Sequence, residues 1–427
     1  MSHRTKEPPG GTGDEEAGRE QVERPDIDRR SFLAGSASLM ALGTTSLLLG
    51  TAKAAGPDQG VDPMRVPGSG ASSYGDRSAF ETATRLGGGS HSLTPLQDLH
   101  GIVTPSSLHF ERHHNGVPTI NPKRHRLLVH GLVDKPLIFT VEELKQLPSV
   151  SRLAFIECAG NSRDGWGDSN DLTVQEIHGL TSTSEWTGVK LSTVLEAVEM
   201  QPKASWMLAE GGDAAGLDRS VPLTDEVLNE AMVCYGQNGE ALRPEQGYPL
   251  RLLLPGFEGN INVKWLRRLK VTADPVMTKD ETSKYTDSLP SGKAMQFTFP
   301  MGVKSVITSP SGGLKMQGAG LYQISGIAWS GAGRIRRVDV SADGGATWAP
   351  AALSAPVLPK ALTRFRLAWR WTTGPAVLMS RAVDETGAVQ PTRAALLGTH
   401  GAAHRYHYHA IQSWGVSPGG EIRNVYA

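Results

Sequence analysis

The 427 residues hold only two cysteines, Cys158 and Cys234. Cys158 ends an apolar run in "RLAFIECAGNSRDGWG", Arg152 to Gly167. The run reads as a strand with Ala154, Ile156 and Cys158 on one face. The small residues of "AGN" follow and leave room for a bulky group beside the thiol. Arg163, in the same loop, supplies positive charge, a setting that favours a thiolate. Such a thiolate is a nucleophile or a soft metal ligand; a buried structural cysteine is the third reading. A nucleophile needs a general base and an oxyanion hole, and no protease signature accompanies it. Zinc wants roughly three or four protein ligands, and no C-x-x-C pair is present. A metal held mainly by an anionic organic cofactor needs one thiolate and basic clamps. The chain offers Arg112, His113 and His114 in "HFERHH", Arg251 in "GYPLR" and Lys264 in "NVKW".

These residues need a scaffold. "HRLLVHGLV" reads as a strand and "TVEELKQLP" as a short helix capped by Thr140 with Glu143. "WTGVKLSTVLEAVEM" reads as an amphipathic helix burying Leu191, Val194, Leu195 and Val198. "YPLRLLLPG" reads as a buried strand, and Cys234 as a core residue at a helix end. Regular structure is expected from near Leu96, and the helical pattern stops after about Pro290. Beyond it, "RFRLAWRW" alternates, with Phe365, Leu367, Trp369 and Trp371 facing one way and Arg364, Arg366 and Arg370 the other. "RVDVSADGGATWAPAAL" predicts a hairpin around Asp343-Gly344-Gly345 with Trp348 as a core anchor. Residues 291–427 therefore predict a β-sandwich of immunoglobulin type. His407 and His409 would share a strand face there, with Arg405, Tyr406 and Tyr408 suited to an interface and no second metal expected.

Length favours two domains. The 43 Lys and Arg balance 43 Asp and Glu, so no basic excess points to nucleic acid. No C-x-x-C-H is present for covalent haem. Arg29-Arg30-Ser31-Phe32-Leu33 matches a twin-arginine signal, followed by a mildly apolar stretch and a small-x-small site at Ala52-Lys53-Ala54. That pattern predicts folded export to a bacterial periplasm, with no membrane anchor after cleavage.

"FIECAGNSR" resembles the molybdenum-ligand motif of the sulfite oxidase family. "FERHH…VP", "WTGVKLSTVL", "GYPLRLLLPGFEGNINVKWLRRL" and "VSADGGATW" resemble further motifs of that family, in its order, over residues 100–427. The resemblance implies an α+β fold: a sulfite-oxidase-type molybdopterin domain followed by an immunoglobulin-like β-sandwich dimerisation domain. The expected divisions are a signal at 1–54, an extended arm at 55–95, the catalytic domain at 96–290 and the dimerisation domain at 291–427. It implies a molybdenum–molybdopterin cofactor with Cys158 as metal ligand. Arg112 would lie on the substrate side, His114 against the pterin, and Arg163 beside both substrate and cofactor. Arg251 and Lys264 would hold the pterin phosphate, and Asp213 would be an acidic pterin contact.

"VQEIHGLTSTSEWTGVKLS" resembles the branch of the family that oxidises sulfane sulfur on a carrier protein's cysteine during thiosulfate oxidation. That implies a separate c-type cytochrome as electron acceptor, and a homodimer of this chain within a heterotetramer. Departures from the sulfite oxidases support this branch: Gln246 stands where they carry histidine, and "LTVQEIHGL" lacks their tryptophan. Tyr285 is the nearest match to their catalytic tyrosine, at a poorly matching spacing. Their second-domain arginine has no assigned counterpart in "GTHGAAHRYHYHAIQSW". The rival readings are a periplasmic sulfite dehydrogenase, a methionine-sulfoxide reductase branch (opposed by the sandwich), a secreted immunoglobulin-like binding protein with an inert Cys158, and a cysteine hydrolase.

Overall fold

The computed structural model describes residues 63–167 and 171–426. The twin-arginine stretch and its cleavage site lie outside the described residues. Residues 63–80 carry one short turn of helix, Pro63–Arg65, and residues 64–80 are exposed.

From Glu81 onward the chain builds two mixed layers and a sandwich. The strand before Cys158, Ser149–Glu157, pairs along its whole length with Thr181–Lys190, which pairs in turn with Met232–Gln237. A second sheet runs Leu137–Phe139, Leu127–Gly131, Leu266–Thr272, Trp206–Gly211, Asp218–Pro222, with one parallel pair at its centre. Thr140 caps the helix Val141–Gln146 in a full capping box with Glu143, as the sequence predicts.

The "WTGVK" segment corrects the expected long helix. Trp186 to Lys190 form the end of the strand Thr181–Lys190, and the helix is only Leu191–Ala197. Strand partners on both edges override the helical period. The apolar face of that helix is nevertheless right: Leu191, Val194, Leu195 and Val198 are buried. Cys234 likewise lies in a strand rather than at a helix end, though buried as expected. Regular structure also begins before Leu96. Leu86–Gly88 pairs with His91–Leu93, which pairs with Glu111–Arg112 and so fixes Arg112 in a small sheet.

The C-terminal part is the expected sandwich. One sheet contains Lys304–Ser309, Gly320–Trp329, Thr363–Trp371 and Ala352–Leu353; the other contains Ala349–Pro350, Ile335–Ser341, Ala376–Asp384, Ser413–Val416 and Ile422–Val425. The alternation of Thr363–Trp371 holds except at Arg364, which is buried and donates to the carbonyls of Gly101 and Leu99. Trp348 is only half-buried, under the Arg381 guanidinium at 4.5 Å, so it covers the sheet edge rather than anchoring the core. A helix, Arg393–His400, interrupts the β pattern, because its Thr392 cap starts a turn in a connection between strands.

The two faces of Ser149–Glu157 do different work. Ala154 and Ile156 pack with Trp186, Cys234 and the edge of Cys158, confirming the predicted face. Phe155 points the other way, into the sandwich core beside Trp329. The strand that carries the thiol is thus clamped from both sides.

Candidate active site

Cys158 follows immediately on its strand, where the chain leaves the sheet and the thiol borders a cleft. Its amide donates to Leu180 O, and its carbonyl accepts from Asn161. The preceding residue, Glu157, is locked beneath it. Glu157 accepts from Lys304 Nζ (3.0 Å), Asn161 Nδ2 (2.9 Å) and Trp329 Nε1 (2.6 Å). Lys304 also donates to Ser162 Oγ at 2.6 Å and to the Tyr408 carbonyl at 2.8 Å. A side chain of the sandwich therefore pins both ends of the thiol loop. Gly259 lies against this loop: a Cβ there would stand 3.0 Å from Glu157 O and 3.2 Å from Cys158 Cα.

Two clefts meet at Cys158. The inner one is lined by His109, Arg112, His114, Asp213, Gln246, Arg251, Asn260, Lys264 and Tyr285 among others. The outer one is lined by Arg112, His114, Arg163, Asp164, Lys284, Tyr285, Asp287, Arg405 and Tyr406. Arg112, His114, Cys158 and Tyr285 line both and form the junction.

The inner cleft is built for an anion with many acceptors. Lys264 Nζ donates to the carbonyls of Arg112 and Glu245, each at 2.8 Å. Arg251 donates to the carbonyls of Gln246 (3.0 Å) and Asn262 (3.2 Å), and lies 4.7 Å over the Trp186 ring. Among the described residues neither cation has a carboxylate partner. Burial pulls Lys264 down to about 7 and Arg251 down to about 10, each further lowered or only slightly offset by neighbouring charge. Arg251 Nε, both amide atoms of Asn260 and His109 Nε2 are buried with no partner. Buried cations and orphaned polar atoms on one wall are costly unless a ligand satisfies them. Gly247, at φ 108°, allows the approach: a Cβ there would meet Lys264 Cβ at 3.0 Å and Arg251 Cβ at 3.2 Å. These residues fit a molybdopterin with an anionic phosphate end at Arg251 and Lys264 and its metal at Cys158. Lys264→Met is expected to weaken cofactor retention about 30-fold, the loss of one charge-assisted hydrogen bond of about 2 kcal/mol. Molybdenum content after extended dialysis reads it.

The thiol itself corrects one expectation. Burial pushes Cys158 up, and the charge that opposes this comes from Arg112 rather than Arg163. Arg163 starts a short turn, Arg163–Trp166, and lines only the outer cleft. A thiol held protonated is a poor nucleophile at neutral pH, whereas a metal displaces its proton on binding.

Tyr285, left unassigned on spacing, lies at the junction with its hydroxyl 3.5 Å from His114 Nε2. Burial raises it, so the hydroxyl stays a donor. Its ring lies under the Arg219 guanidinium at 4.5 Å. Arg219 is itself fully buried and bridges Glu258 (3.0 Å) and Glu281 (2.8 Å). Gln246 proves to be part of the inner wall, donating to Phe110 O at 2.8 Å, and does not line the outer cleft. Its departure from histidine bears on the cofactor end, not on the substrate.

The histidine segment is also relocated. Residues 404–409 form no strand; they fold over the site. His407 N donates to Ala159 O, and His407 Nε2 lies 3.2 Å from Glu258. Tyr406 packs on Tyr285 at 5.5 Å, and Arg405 is the second-domain arginine of the outer cleft. Burial alone would lower His407, but the hydrogen bond and charge of Glu258 outweigh it and raise it. The stability this pair contributes is complete below the unfolded value of about 6.5 and lost as pH rises through the raised folded value. His407→Gln should therefore flatten the fall of the urea midpoint as pH rises above about 6.5.

Comparison with known proteins agrees with this geometry. Residues 114–280 match the oxidoreductase molybdopterin binding domain, and residues 295–413 the Mo-co oxidoreductase dimerisation domain. The mitochondrial sulfite oxidase of Mus musculus is 30% identical over 73% of this chain and 62% of its own length. An inducible NADH nitrate reductase of Glycine max is 31% identical over 71% of this chain but only 39% of its own length. This chain thus spans less than two thirds of either relative. The crystal structure of the sulfane dehydrogenase SoxCD from Paracoccus pantotrophus superposes with a TM-score of 0.82 at 43% identity, covering 86% of this chain and 97% of that one. The chain belongs to the sulfite oxidase family of molybdopterin oxidoreductases. Its cofactor is molybdenum–molybdopterin, and the readings as an inert binding module or a cysteine hydrolase fall away. The inner cleft is the one whose lining fits the cofactor, and the outer cleft meets it at Cys158. Of the residues named from sequence, Arg112, His114, Cys158, Asp213, Arg251 and Lys264 line the inner cleft, while Arg163 lines only the outer one. His109, Asn260 and Arg405 complete the clefts without a sequence signal beyond proximity to the motifs, and Tyr285, the nearest sequence match to the family's tyrosine, lines both.

Proposed function

We propose that this chain is the molybdenum subunit of a periplasmic enzyme that oxidises sulfane sulfur bound to a cysteine of a carrier protein and passes the electrons to a c-type cytochrome. The observation that carries this reading is the 43% identity with a sulfane dehydrogenase chain over 97% of that chain. When bound, the cofactor supplies two-electron oxidation of sulfur with oxygen drawn from water. The chain's own residues handle the substrate. Arg112, Arg163, Lys284 and Arg405 line the outer cleft and attract an anionic sulfur group. Tyr285 keeps its proton and offers a donor at the junction where the sulfur must arrive. The cleft is open and broad, which suits an extended peptide arm carrying the substrate. Export by the twin-arginine signal, pairing of two copies through the sandwich and two cytochromes per pair complete the proposal.

Sulfite oxidation is the second reading. It is favoured by the place of Gln246, which no longer argues against sulfite, and by the same cations. The deciding experiment mixes the molybdenum-loaded protein and its cytochrome anaerobically with free sulfite, or with a carrier protein bearing a cysteine persulfide. Haem reduction by the carrier alone is the expected result. Reduction by sulfite alone would make the enzyme a sulfite dehydrogenase.

A further inference from the structure

Behind the outer cleft lies a second group of titratable side chains that neither cofactor binding nor substrate attraction uses. Asp287 lines the cleft and is buried. Its Oδ2 stands 3.3 Å from His404 Nε2. His404 is 3% exposed, and its ring packs on His400 at 4.5 Å and on Trp166 at 5.0 Å. His400, at the end of the helix Arg393–His400, is part-exposed and opens the series to solvent. Trp166 Nε1, His400 Nδ1 and His404 Nδ1 have no protein hydrogen-bond partner, and His404 Nε2 approaches Asp287 without hydrogen-bond geometry. Buried polar atoms of this kind are satisfied by ordered water. The row therefore runs from cleft carboxylate through two adjoining imidazoles to the surface.

We propose that Asp287, His404 and His400 form a proton exit from the outer cleft to the surface. The inference rests on the sulfur-oxidising reading. Each oxygen added from water releases protons where the substrate sits: R–S–S⁻ + H₂O → R–S–SO⁻ + 2 H⁺ + 2 e⁻, the electrons leaving one at a time to the cytochrome. A peptide-borne substrate filling the cleft blocks bulk water, so the protons need a separate way out. An imidazole serves by accepting at one nitrogen and donating from the other. Asp287 faces Glu258, His407 and the Arg405 amide, while His404 faces His400, His407 and His409. Burial raises Asp287 above the ordinary carboxylate value and lowers His404 to about 4, so the His404 ring rests neutral and passes a proton without storing it.

His404→Gln and His400→Gln in the molybdenum-loaded enzyme, assayed with the persulfide-bearing carrier and with sulfite, test this. Each variant should lower kcat about 10-fold or more with KM unchanged, enlarge the solvent deuterium effect, and recover rate as imidazole buffer is raised. Damage to packing would not respond to buffer. Unchanged kcat in both variants, or a loss that imidazole does not restore, would overturn the proposal. A second arm needs no turnover: in cofactor-free protein, Asp287→Asn should shift the titration of the His404 ring seen by NMR of labelled histidine. An unmoved titration would also overturn it. If the native enzyme oxidises neither substrate, the sulfur-oxidising reading fails and the NMR arm decides the relay separately.

Discussion

Cys158→Ser is expected to fold normally and to lose more than about 100-fold of kcat, because even partners behind a metal ligand cost about 10- to 100-fold when removed. The substitution is nearly isosteric, and the side chain borders a cleft, so packing changes little. The chemistry changes entirely. Burial already pushes the thiol up, with Arg112 opposing it. A hydroxyl in the same place will not ionise for a metal, and it is a harder donor than sulfur. Molybdenum content and steady-state haem reduction, measured together, separate loss of metal from loss of turnover. A variant that kept both would mean that Arg251 and Lys264 hold the cofactor in working position by themselves.

Lys304→Met is expected to destabilise the protein by about 3–5 kcal/mol, the cost of leaving a buried charge without its partner. Lys304 and Glu157 are both 1% exposed and lie 3.0 Å apart. Removing the ammonium leaves the carboxylate with only Asn161 and Trp329, takes the lysine from the Tyr408 carbonyl, and leaves Ser162 Oγ with His178 alone. The urea midpoint reads the stability. The site should respond as well, since Glu157 precedes Cys158. In cofactor-free protein the variant should speed alkylation of Cys158, with buried Cys234 as the internal reference for general unfolding. Combining Lys304→Met with Glu157→Gln should recover part of the stability, because the stranded charge is gone. No recovery would mean that the lysine acts through packing alone.

Much of the scaffold was readable locally. The period of two in "AFIEC" and "RFRLAWRW", and the Thr140–Glu143 box, are properties of short segments, and they survive folding because each segment's neighbours agree with them. Where they did not agree, the sequence misled. "WTGVK" joins a sheet because both edges of that strand find partners, and Trp348 covers an edge under Arg381 instead of filling the core. The thiol, the basic residues near it and Asp213 were legible because they sit in motifs whose residue types carry the chemistry.

What the chain order could not reveal is which distant groups share the site. Tyr285 follows a short helix, Lys279–Ser283, and reaches His114 only because Arg219, buried between Glu258 and Glu281, holds its ring. Arg405, Tyr406 and His407 come from far along the chain, and nothing in their own spacing says that they close over Cys158. Lys304 looks like an ordinary strand lysine until the sandwich places it under Glu157. Residue types and short periods are fixed by covalent neighbours, and so the sequence by itself determined the strands, the thiol and the cofactor clamps. Burial, ion-pair partners and cleft walls depend on contacts between segments hundreds of residues apart, and only the tertiary structure decided those.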